Sequence, residues 1–139
     1  MRNLWYAIER SPNGDIQMPS LNEIAAALKG LRIPPKAEEY EIHDAVAHEL
    51  ENAGLPYIHE FRIRPGCRID FMCGRVGIEI KKSKPDKRSL AAQAARYLED
   101  EALEALIVIS PFSLSLPSRI NRKPVLTIAT NPLWGVALP

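Results

Sequence analysis

Two short runs in which apolar and polar residues alternate, Arg68 to Cys73 and Val76 to Lys82, are separated only by Gly74-Arg75. No other feature of the chain restricts its fold as tightly. A two-residue loop with glycine first suits a type II′ turn, and that turn sets the register of the hairpin. Cys73 then faces Val76, Phe71 faces Ile78 and Ile69 faces Ile80, so one side of the ribbon is apolar and has to pack on a core. On the other side Asp70 lies opposite Glu79, with Lys81 beside it.

The elements around this hairpin follow from period and punctuation. Ile42, Val46, Leu50 and Ala53 recur at helical spacing, which predicts a helix from about Ala37 to Ala53 with Gly54 as its cap. Tyr57 to Ile63 reads as a strand ahead of the Pro65-Gly66 turn. Beyond the hairpin, about Asp86 to Glu104 reads as a second helix, Leu106 to Ile109 as a buried strand and Val125 to Ala129 as a further strand. The turn-rich Ser11-Pro12-Asn13-Gly14 and a short helix, Leu21 to Leu28, form an N-terminal appendage over residues 1–36, leaving 37–139 as the main domain. The expected order is α, β, β, β, α, β, β, which suits a small α+β or α/β domain.

With 139 residues, 46% hydrophobic and 25% charged, the chain can bury roughly two-thirds of its unfolded surface without a disulfide or structural metal. Cys67 and Cys73 form no secreted-type framework, and no signal peptide or membrane-length apolar run is recognisable. A cytoplasmic protein with no membrane partner is expected. The net charge is only +1, yet it is sorted. Glu38 to Glu51 holds six acidic residues and no Lys or Arg, whereas Glu60 to Arg88 holds nine basic residues against four acidic ones. Such a basic stripe is a candidate phosphate-facing surface.

The polar side of the hairpin calls for a chemical explanation. Carboxylates directly opposed across a strand pair repel, and Lys81 neutralises only part of the charge. A divalent cation supplies the rest. Mg²⁺ takes one or two carboxylates together with waters and phosphate oxygens, so Asp70 and Glu79 would hold such an ion while Lys81 orients a water or offsets charge on a phosphate. That pattern points to phosphodiester hydrolysis.

The run Arg68-Ile69-Asp70-Phe71 followed by Ile78-Glu79-Ile80-Lys81-Lys82 resembles the PD-(D/E)XK nuclease superfamily, in which an Asp on one strand precedes an acidic-x-Lys on the next. Ile69 stands where the leading proline would be. The resemblance covers roughly residues 38 to 110 and implies a restriction-endonuclease-like core, αβββαβ, with a mixed central sheet flanked by helices. It implies Asp70, Glu79 and the carbonyl of Ile80 as ligands of Mg²⁺ or Mn²⁺, and Lys81 as the catalytic lysine.

The superfamily often adds a glutamate from the first helix. Glu39 and Glu41 compete for that role, and at about 100° per residue Glu39 falls on the face of Ile42, Val46 and Leu50. Gln93 and Tyr97 resemble the QxxxY element of RecB-like members, next to which Holliday-junction-resolvase-like members are a further comparison. Gln93 would position the lysine or a DNA phosphate, and Tyr97 also fits a plain core aromatic.

His43, His48 and His59 fit no zinc spacing and read as surface or core residues, although His43 is one turn from Glu39. Lys82, Lys84, Lys87, Arg88 and Arg68 are candidates for holding a DNA backbone. The expectation is a metal-dependent deoxyribonuclease of a repair, recombination or phage type, dimeric because duplex cleavage needs two cuts. The alternative is a catalytically silent nucleic-acid-binding module on the same fold.

Overall fold

The computed structural model describes residues 18–34 and 36–130, so the expected Ser11–Gly14 turn lies outside the described residues. Three helices and six strands follow in the order α1 (Leu21–Leu28), α2 (Glu39–Asn52), β1 (Ile58–Arg64), β2 (Cys67–Cys73), β3 (Val76–Ile80), α3 (Lys87–Leu98), β4 (Ala105–Ser110), β5 (Arg119–Ile120) and β6 (Lys123–Ala129). The strands form one mixed sheet in the order β1-β2-β3-β4-β6-β5. β1, β2 and β3 are mutually antiparallel, α3 then crosses over so that β4 lies parallel to β3, and β6 lies parallel to β4. Among the described residues no helix is long and apolar enough to cross a membrane.

Both faces of the sheet are covered. On one face Ile24 and Leu28 of α1 and Ile42, Val46 and Leu50 of α2 pack on Phe71, Cys73, Val76, Ile78, Ile80, Ile107 and Ile109. The segment read as an appendage therefore contributes Ile24, Leu28, Leu31 and Ile33 to the same core as α2. On the other face Leu90, Ala94, Tyr97 and Leu98 of α3 pack on Ile58, Ile69, Met72, Leu106 and Val108. Successive residues of β4 thus serve opposite cores, which is why that strand reads as an unbroken apolar run.

Local chemistry sets the ends. Gly54, at φ +72°, closes α2, with its own N–H on Glu51 O and the Leu55 N–H on Leu50 O. The β2–β3 turn has Gly74 at φ +61° while Arg75 keeps negative φ, as a type II′ turn requires. Cys73 pairs with Val76 and Phe71 with Ile78, the register expected from the sequence.

Three expectations need correction. Ile69 does not lie with Ile80 on the α1/α2 side; it is buried in the α3-side core. Alternation in β2 shifts at Asp70, and β1 shifts in step at Glu60, whose φ is +56°. Pairing runs from His59↔Phe71 to Phe61↔Ile69 across that irregularity. The second helix ends at Leu98 instead of Glu104, because Asp100 turns the chain by accepting the Ala102 N–H at 2.9 Å and Leu103 goes into the core. The short strand β5, unforeseen in the sequence, pairs with β6 around Asn121-Arg122, both at positive φ.

Candidate functional site

The shift at Asp70 builds the site. Continued pairing would direct the Ile80 N–H to the carbonyl of Ile69, but β2 and β3 part beyond Phe71↔Ile78. Asp70 Oδ2 accepts that N–H instead at 2.8 Å. In return the Asp70 N–H donates to Glu79 Oε1 at 3.4 Å. The two acids predicted to oppose each other are thus brought together at the mouth of the opening.

Glu79 is 7% exposed, one of three buried polar or charged residues among the described ones. Its Oε2 lies 3.3 Å from Lys81 Nζ and 3.4 Å from Gln93 Nε2. Burial first, and the Asp70 carboxylate second, push the Glu79 carboxyl up to about 7, with Lys81 pulling the other way. Three elements therefore meet at one carboxylate: β2 through Asp70, β3 through Glu79 with Lys81 just past its end, and α3 through Gln93.

Gln93 sits on Glu79 and on the Tyr97 hydroxyl, 3.1 Å away, with no contact to Lys81 in its hydrogen bonds. Tyr97 is buried and donates to the Arg68 carbonyl at 3.1 Å, tying α3 to β2 next to Asp70. Burial and the neighbouring Glu79 push its phenol upward from the ordinary value.

On the α2 side the histidines enter. His43 Nε2 is buried without a hydrogen-bond partner, 3.9 Å from Asp70 Oδ1 and 3.8 Å from Glu39 Oε1. Its Nδ1 shares a hydrogen with His59 Nε2 at 2.8 Å, and both rings pack on Phe71. Burial, then the His43 neighbour, hold the His59 imidazole below its usual value. The sequence places His43 one turn from Glu39 but gives no sign of His59. The i, i+4 spacing of Glu39 and His43 puts those two on one helical face, whereas His59 comes from another element.

Glu39 itself is 70% exposed at its side chain, so it does not stand on the core side as expected, and it reaches the site only through His43. The first helical turn lets its carboxylate swing into solvent. Glu41 is engaged elsewhere, accepting the Glu38 N–H at 2.8 Å as α2 begins.

Among the described residues no three His, Cys, Asp or Glu side chains converge as a ready metal shell. The available donors are the Asp70 and Glu79 carboxylates and backbone oxygens beside them. Lys82 and Lys84 are exposed between β3 and α3, Lys87 and Arg88 are exposed in the first turn of α3, and Arg68 is exposed on β2. Lys82 Nζ lies 3.8 Å from Glu38 Oε2. Compared with known proteins, the chain matches no family model, no curated protein and no solved structure.

Proposed function

We propose that the protein is a metal-dependent nuclease that hydrolyses phosphodiester bonds in DNA, with Asp70, Glu79 and Lys81 at its centre. The observation that carries this reading is the Asp70–Glu79 pair at the parting of β2 and β3, with the Lys81 amine 3.3 Å from Glu79. Two carboxylates so close, one of them buried, are costly to keep ionised without a shared cation. The order α2, antiparallel β1 to β3, α3 and β4 is also the order that the PD-(D/E)XK resemblance implies, which supports the same reading.

The donors suit Mg²⁺ or Mn²⁺. Two carboxylates and the Ile80 carbonyl are oxygen ligands for a hard ion that keeps several of its waters, whereas a closed zinc site would need more nitrogen or sulfur. When bound, such an ion supplies a water of lowered pKa and offsets charge on the phosphate. The protein's own groups divide the remaining work. Asp70, fixed by the Ile80 N–H, and Glu79, fixed by Gln93, hold the ligand oxygens in place. Lys81 stabilises negative charge on the attacked phosphate. Lys82, Lys84, Lys87 and Arg88 line the approach and hold the backbone without reading sequence.

The test is cleavage of circular plasmid and of labelled linear and branched DNA with Mg²⁺, Mn²⁺ or EDTA. Cutting should require the metal, and Lys81→Ala should slow it by about 10²- to 10³-fold while DNA binding persists. Salt-sensitive DNA binding with no cutting of any substrate would instead favour a catalytically silent nucleic-acid-binding module.

A further inference from the structure

Gln93 also lines a second recess, one that Glu79 does not line. It is a cleft of about 280 Å³ lined by Arg64, Cys67, Arg68, Arg96, Gln93 and Tyr97, with the Pro65-Gly66 turn at its rim. Three arginines therefore line one space. Arg64 is fixed by Asp100 at 3.3 Å and by the Arg96 carbonyl at 3.0 Å. Among the described residues neither Arg68 nor Arg96 has a carboxylate partner.

We propose that this cleft is a phosphate-binding subsite, which takes a phosphate of the nucleic-acid strand next to the bond being cut. The proposal rests on the nuclease reading and deepens it. Asp100 already offsets Arg64, so the positive charge of Arg68 and Arg96 is what the cleft leaves uncompensated, and an anion there is favourable. Guanidinium forks match phosphate oxygens in pairs, and Arg clusters recognise phosphate groups for that reason. Gln93 and the Tyr97 hydroxyl add polar groups to the wall and hydrogen-bond each other at 3.1 Å. Its size is close to the roughly 300 Å³ at the lower end of small-ligand sites, enough for a phosphate with part of its sugar. Gln93 is a shared wall, 3.4 Å from Glu79 Oε2, so the subsite and the carboxylates lie along one strand path. The phosphate held there is either a strand terminus or an internal diester.

Cys67 reports on the cleft. It is half-buried and lines the recess, while Cys73 is buried, with burial pushing its thiol up to about 12, so Cys67 is the thiol that alkylates in the folded protein. Alkylation of Cys67 by iodoacetamide is followed by mass spectrometry in EDTA, with inorganic phosphate against chloride at equal ionic strength, and with a short oligodeoxynucleotide carrying a 5′-phosphate or a 5′-hydroxyl. Phosphate should slow alkylation. Arg96→Ala and Arg68→Ala, both surface changes, should each weaken that protection about tenfold, as expected on losing one charge-assisted contact. Lys29→Ala, the same loss of charge at the C-terminal cap of α1, should leave it unchanged.

Protection by the 5′-phosphate oligonucleotide alone assigns a strand terminus, and equal protection by both oligonucleotides assigns an internal diester. No protection by any probe, or equal behaviour of Arg96→Ala and Lys29→Ala, overturns the subsite. Cleavage assays run in parallel separate the two ideas. Cutting without protection removes the subsite and leaves the nuclease, whereas protection without cutting leaves a phosphate site and removes the nuclease.

Discussion

Asp70 Oδ2 accepts the backbone N–H of Ile80 at 2.8 Å, so a side chain on β2 completes a ladder bond that its own backbone has abandoned. Ile80 is only 5% exposed, which leaves little water to take over that N–H. Asp70→Asn and Asp70→Ala both remove the charge, but Asn retains an acceptor oxygen. The Ala variant should therefore be the less stable of the two by about 1–3 kcal/mol, measured by urea unfolding. Both should lose metal-dependent cleavage. Equal midpoints would show that the hydrogen bond contributes nothing to holding the opening.

The acidity of Glu79 gives a pH dependence with a definite sign. Its folded-state value of about 7 lies above the ordinary 4.5, through burial first and Asp70 second, so the folded protein holds this proton more tightly than the unfolded chain does. That stabilisation is complete below pH 4.5 and is lost as pH rises through 7. In EDTA, Glu79→Gln should melt close to wild type at the acid end and above it beyond pH 7. Adding Mg²⁺ beyond pH 7 should raise the wild-type melting temperature and leave the Gln variant almost unmoved. Parallel curves across the window would mean that Glu79 ionises without strain.

The parts of this molecule legible in its sequence are those fixed by neighbours a few residues apart. Gly74 at the first turn position gave the hairpin register, and the repeat of Ile42, Val46 and Leu50 gave α2 and its buried face. That register also puts Asp70 opposite Glu79, although the strands part there and the two acids are linked by a side-chain-to-backbone bond instead of a ladder pair. What escaped depends on distant partners. The shift at Asp70 is accompanied by a left-handed Glu60 on another strand, a partner that nothing within β2 itself specifies. Residues 99–104 are good helix formers, yet Leu103 is wanted in the core and Asp100 supplies a turn. His43 enters the site only because β1 delivers His59 beside it.

The β5–β6 turn invites a stabilising change. Asn121 and Arg122 sit at φ +52° and +64°, the pattern of a type I′ turn, for which Asn-Gly is the favoured pair. Arg122 contributes its backbone carbonyl to Arg119, a bond that glycine keeps. Arg122→Gly should raise stability by about 0.5–1 kcal/mol, since a side chain at positive φ costs about that much or more. Thermal melts test it, and a fall in melting temperature would show that the lost backbone freedom outweighs the relief.

Gly77 tests how tightly the two strands of the site are braced. A Cβ there would lie 2.5 Å from Ile69 Cδ1 and 2.6 Å from Leu103 Cδ2, and both of those side chains are fully buried. Gly77→Ala should cost about 1–3 kcal/mol through overpacking. Ile69→Val alone should cost about 0.5–1.5 kcal/mol, because it empties the space of one methyl group. Together they should cost less than the sum, since the deleted Cδ1 is the atom the new Cβ would strike, and a double-mutant cycle by urea unfolding measures that coupling. Ile69 precedes Asp70 and Gly77 lies two residues before Glu79, so the same overpacking should spread the carboxylates and reduce cleavage in Gly77→Ala, with Ile69→Val restoring part of it. Additive costs would mean that Leu103, and not Ile69, is the side chain that has to yield.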